Sequence, residues 1–114
     1  MRVNKYKKRK ILDRKLSDEI ARLLNKELHP EKIILFGSYA EGCARPESDV
    51  DVLVVTKENL SPIERYALVH KLFKDFPFTV QLVLITPEEF EETKDVIGGI
   101  AYPAFNYGVV LYEK

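Results

Sequence analysis

The chain has 114 residues, 46% of them hydrophobic and 32% charged, the size and balance of one globular domain with enough apolar residues to exclude a disordered segment. A single cysteine, Cys43, excludes an internal disulfide and a cysteine-based metal site; no apolar run nears the roughly 20 residues that span a bilayer, so no membrane partner and a reducing cytoplasm are expected. Formal net charge is zero, yet residues 1–15 carry eight cationic side chains against Asp13 alone, which leaves a net −7 on the rest.

Those first fifteen residues read as a basic leader, solvated or touching phosphates, with residues 16–114 as one folded domain. Leu16, Ile20, Leu23, Leu24 and Leu28 recur at the spacing of one helical face, and His29-Pro30 ends the pattern, so a first helix is predicted over 16–28 with a start as early as Lys10. Lys32 to Phe36 is a short apolar run ending in Gly37-Ser38 and reads as a buried strand. Val50 to Val55 forms a second strand, interrupted only by Asp51. Ser61-Pro62-Ile63-Glu64 is a capping box with proline at the first helical position, predicting a helix to about Asp75. Phe78 to Ile85 reads as a third strand, and Thr86-Pro87-Glu88-Glu89 opens a further helix in the same way. Gly98-Gly99 breaks that helix, residues 100–107 resume it despite Pro103, and Val109 to Tyr112 closes the chain as a strand.

Chemistry concentrates around the first two strands. Asp49 and Asp51 are two apart at a strand entrance, and alternation places both carboxylates on one side, where they can grip one cation. Oxygen ligands of this kind suit Mg²⁺, which keeps waters and shares its shell with substrate phosphates. A dozen residues upstream, Gly37 allows close approach of a ligand to the backbone, the Ser38 hydroxyl and turn N–H groups can bond phosphate oxygens, and Gly42 lets the loop return. Phosphate grip joined to charge neutralisation is what phosphoryl transfer requires, and the third party is a nucleoside triphosphate.

The run Leu35-Phe36-Gly37-Ser38 through Gly42, then Ser48-Asp49-Val50-Asp51-Val52-Leu53-Val54-Val55, resembles the signature of the minimal nucleotidyltransferases, stand-alone relatives of kanamycin nucleotidyltransferase and polymerase beta. Val83 to Phe90 and the ending Gly108 to Tyr112 resemble the same family, so the likeness extends from about residue 16 onward. It implies an α/β (α+β) domain with a mixed sheet flanked by helices, Mg²⁺ on Asp49 and Asp51, and phosphates at Gly37 and Ser38; Gly42 and Ser48 are further candidates for the nucleotide-binding set, and Arg45, between the two motif halves, can reach a triphosphate or be an ordinary surface arginine. It further implies transfer of a nucleoside monophosphate, AMP from ATP in the first instance, to a hydroxyl with release of pyrophosphate. Many relatives act as the antitoxin of a HEPN partner, some by adenylylating one of its tyrosines.

One position departs from the pattern. Relatives carry a third carboxylate on the third strand, where this chain has Gln81 between Val80 and Leu82. An amide offers oxygen without charge and cannot act as a base, so a catalytically impaired module that binds a nucleotide or a partner is the alternative to an enzyme. Glu41 and Glu47 are the candidate substitutes. Tyr39 can stack on a nucleotide or simply pack; Tyr102, Phe105 and Tyr107 can form an aromatic patch for a partner or a homo-oligomer, or close the core. The basic leader leaves a nucleic-acid contact open as a further alternative.

Overall fold

The computed structural model describes residues 12–114, in which five helices alternate with four strands: α1 (Arg14–Leu28), β1 (Lys32–Phe36), α2 (Ser38–Glu41), β2 (Val50–Val55), α3 (Pro62–Phe73), β3 (Val80–Ile85), α4 (Pro87–Thr93), α5 (Tyr102–Tyr107) and β4 (Val109–Glu113). Most of the basic leader, including the suggested helix start at Lys10, lies outside the described residues. Within them α1 begins at Arg14, because the Asp13 carboxylate takes the Leu16 N–H at 2.9 Å and so caps the helix. Among the described residues no helix is long and apolar enough to cross a membrane.

The four strands form one mixed sheet in the order β3-β2-β1-β4, with β1 antiparallel to β2 and β4, and β2 parallel to β3. Alternation along the strands divides the core into two layers. On one face Ile33, Leu35, Val50, Val52, Val54, Val80 and Leu82 pack with the Leu16, Ile20, Leu24 and Leu28 stripe of α1 and with Phe73 of α3. On the other face Ile34, Leu53, Val55 and Ile85 pack with Phe90 of α4 and with Ala101 and Ala104 at α5. The expected mixed sheet flanked by helices is thus observed, as a three-layer arrangement.

The boundaries move for local reasons. The third strand starts at Val80, two residues later than its apolar run, and the Thr79 carbonyl already accepts the Val50 N–H at 2.8 Å, so pairing to β2 defines the start. Helix α3 stops at Phe73, with the Phe76 N–H folding back to the Phe73 carbonyl. Helix α4 ends by Lys94, before Gly98-Gly99, and α5 begins at Tyr102 with Pro103 in its first turn, where a missing N–H costs nothing. Thr56, the buried polar side chain at the end of β2, donates its hydroxyl to the Leu28 carbonyl at 2.8 Å and ties α1 to the sheet.

Candidate functional site

The site forms where β1 ends and β2 and β3 begin, all at one end of the sheet. Gly37 leaves β1 at φ 77° and ψ −157°, a conformation that belongs to glycine, and a Cβ there would run into Oδ2 of Asp51. The chain then makes a single helical turn, α2, which the sequence pattern did not announce, since four residues give no periodicity to read. The N–H groups of Ala40 and Glu41 fold back on the Gly37 carbonyl, each at 3.1 Å. The Ser38 and Tyr39 N–H groups and the Ser38 hydroxyl remain at the turn as donors among the described residues. Gly42 closes it at φ 77°, its N–H directed to the Ser38 carbonyl.

Asp51 sits in the second position of β2, level with Phe36 on one side and with Gln81 on the other. It shares the face of Leu53 and Val55, as Gln81 shares that of Val83 and Ile85, so carboxylate, amide and the half-buried Phe36 ring lie together on the face covered farther down by α4 and α5. Asp49, exposed, stands just before the strand. Burial, and then the negative charge of Asp49, hold the Asp51 carboxyl above the usual aspartate range. Two acids arranged so that one resists ionisation next to the other are relieved by a shared cation, and the space at Gly37 that a Cβ would fill lies directly against Asp51. The donor set and the cradle therefore fit a hard, oxygen-seeking cation carried by a phosphate chain. Among the described residues no group of three His, Cys, Asp or Glu side chains gathers to hold a metal, so neither Glu41 nor Glu47 joins the aspartate pair as a third ligand.

The linking loop is held by its own bonds. The Arg45 N–H donates to Ser48 Oγ at 2.9 Å and the Ser48 N–H to the Arg45 carbonyl at 3.0 Å, so Ser48 shapes the turn that delivers Asp49 while the Arg45 side chain stays exposed. Tyr39 packs edge-on to Phe78 at 5.3 Å, on the α1/α3 side of the sheet, away from Asp51 and Gln81. Burial, then the Glu47 charge, push its phenol up. Of its two sequence readings, packing is the one the structure displays. Phe36, quoted in the sequence only as part of a motif, is the residue that pattern reading undervalued: its place beside Asp51 follows from strand register, which no local signal encodes.

Comparison with known proteins agrees with this fold. The family model of polymerase beta nucleotidyltransferases matches residues 18–114. A Methanocaldococcus jannaschii protein named as a candidate protein adenylyltransferase is 35% identical over 75 residues, covering 66% of this chain and 72% of the relative. Among solved structures, a chain from a toxin–antitoxin complex with AMP-PNP superposes with a TM-score of 0.67 at 26% identity, covering 86% of this chain and 73% of its own length. A chain from the tri-AMPylated HEPN toxin of Shewanella oneidensis in complex with MNT antitoxin superposes with a TM-score of 0.58 at 24% identity, covering 90% and 74%. The latter likeness speaks to the fold.

Proposed function

Because the chain belongs to the polymerase beta nucleotidyltransferase family, we propose that it binds Mg²⁺ and ATP at Gly37, Ser38, Asp49 and Asp51 and transfers AMP to a hydroxyl of a protein partner. That partner is a HEPN-type toxin, and this chain is its antitoxin. The observation that carries the reading is the approach of Gly37 to Asp51, which leaves no room for a Cβ and brings the phosphate-binding turn against the metal carboxylate. The M. jannaschii relative and the AMP-PNP-bound toxin–antitoxin complex support the choice of adenylate and of partner.

In the proposed reaction the acceptor oxygen attacks the α-phosphorus, the bond to the β,γ-phosphates breaks, and pyrophosphate leaves. Bound Mg²⁺ would supply neutralisation of the charge that grows on the phosphate oxygens. The turn at Gly37 and Ser38 holds the departing phosphates through backbone and hydroxyl donors. Asp49 and Asp51 would hold that cation, with Asp51 aimed by its place in β2 between two paired strands. Gly42 and the Arg45–Ser48 turn shape the loop, and Arg45, exposed at its rim, faces solvent from which a triphosphate arrives.

Gln81 favours a second reading. It is exposed, level with Asp51 and on the same face, so it occupies the place where a third carboxylate would take the acceptor proton, and it cannot take it. With this proton left to solvent, the chain would hold nucleotide and partner and turn over slowly, or neutralise the partner by contact alone. Transfer of label from α-labelled ATP to a co-purified HEPN partner separates the two. Labelling by the native chain that disappears in the Asp49→Ala, Asp51→Ala double variant establishes an enzyme that works with two carboxylates. No labelling by the native chain, with a gain of roughly 10²-fold or more in Gln81→Asp, identifies a binding module.

A further inference from the structure

Two aromatic side chains leave α5 in opposite directions. Phe105 meets Phe90 edge-on at 6.0 Å and carries Lys94 above it at 5.0 Å, and Phe90 is in turn covered by the ammonium of Lys32, the first residue of β1, at 4.8 Å. This flank of α5 therefore looks toward the end of the sheet where β1 begins. Tyr107 lies two residues on, about 200° around a helix, so it leaves the opposite flank, and the strand that follows it begins at the end of the sheet where β1 passes into Gly37. The strand register agrees, since Val109 pairs with Leu35 and sets the junction of α5 and β4 beside Phe36. Helix α5 also covers the sheet face that carries Asp51 and Gln81.

Tyr107 is 57% exposed, and its ring stands edge-on to that of Tyr102, at 6.2 Å and 73°. Neither tyrosine belongs to the buried clusters, so packing does not account for a large ring held in solvent by another. From the start of β4 across β1 to Asp51 is two strand spacings, roughly 10 Å, within the length of one nucleoside triphosphate. We propose that Tyr107, braced by Tyr102, is the stacking surface for the nucleobase of a triphosphate whose phosphates lie at Gly37 and Ser38. The proposal rests on the nucleotide-binding reading above and adds the residue that receives the other end of the ligand. A flat aromatic surface grips any base through its π-face, and bracing by a second ring means little freedom is lost on binding.

The test compares Mg²⁺–ATP with Mg²⁺–tripolyphosphate, which has the phosphates and no base, by calorimetric titration of the full chain. Tyr107→Ala is expected to weaken ATP roughly 10-fold or more while leaving tripolyphosphate unchanged, and Tyr107→Phe, which keeps the ring, to retain most of the native ATP affinity. Equal ATP affinity in native and Tyr107→Ala protein overturns the assignment. So does a parallel loss of both ligands, which would mark a general distortion, and so does an effect confined to capture of a protein partner. Asp49→Ala with Asp51→Ala should lose both ligands. A native chain that binds neither ligand overturns the nucleotidyltransferase reading itself, whereas binding of both with Tyr107→Ala unaffected overturns only the stacking role.

Discussion

At the scale of single residues the site is set by one absent atom. Gly37 holds a backbone conformation that costs another residue about 1–3 kcal/mol, and a methyl group at its Cα would press on Asp51 Oδ2. That oxygen ends a short side chain on a strand paired on both sides, so it has little room to yield without leaving the cation position proposed for it. Gly37→Ala is therefore expected to lower thermal stability by several degrees and to abolish binding of Mg²⁺–ATP; a variant that binds like the native chain would remove Gly37 from the site. The glycine and both aspartates were legible in the sequence as candidates because their spacing matches a chemistry. Ser48 was legible only as a motif letter: its hydroxyl proves to accept the Arg45 N–H, so it acts through the shape of the loop. Tyr39 shows why an aromatic near a motif is ambiguous, since its partner Phe78 lies 39 residues away and no local pattern reveals it.

At the scale of elements, the signals that held were those with a local mechanism. The Ser61–Glu64 and Thr86–Glu89 boxes both form: Thr86 Oγ1 accepts the Glu89 N–H at 3.0 Å and Glu89 Oε1 accepts the Thr86 N–H at 3.1 Å. Helix α4 has seven residues, too few to be stable alone, and its work is to seat Phe90 in the second core layer. Thr86→Ala should cost about 1 kcal/mol, a drop of roughly 4–8 °C in the unfolding midpoint of a domain this size, without altering nucleotide affinity, because α4 starts at the far end of β3 from the site. Calorimetric melting and titration of the one variant check both halves. Helix ends were less legible, since Gly98-Gly99 looked like the terminator while α4 had already stopped near Lys94. Strand pairing was not legible from local pattern: that β3 runs parallel to β2, and so sets Gln81 level with Asp51, depends on the crossover through α3 packing on one face.

At the scale of the whole molecule, the sheet holds an ionisable group at a position that favours its neutral form. Burial and the charge of Asp49 raise the Asp51 pKa above its value in the unfolded chain, so the folded state binds this proton more tightly. The sign follows: with no metal, the contribution of Asp51 to stability is greatest in acid and is lost as pH rises through the window from about 3.9, the unperturbed value, to its raised one. Glu27, lowered chiefly by its hydrogen bond from Lys71, shifts in the opposite direction, so the total curve mixes both. The difference between Asp51→Asn and the native chain isolates the aspartate. In metal-free buffer the variant should match the native melting temperature at low pH and exceed it by a few degrees at most at neutral pH, since Asp51 stays partly open to solvent. Mg²⁺ with ATP should reverse the order at neutral pH by stabilising only the native chain, and that gain should fade on acidification as Asp51 takes up its proton. A variant stabilised by Mg²⁺–ATP as much as the native chain would show that Asp51 does not hold the cation. An unchanged difference across pH would show that the fold imposes no cost on the Asp51 charge, and the local stability surrendered for the site would have to lie in Gly37 and its turn instead.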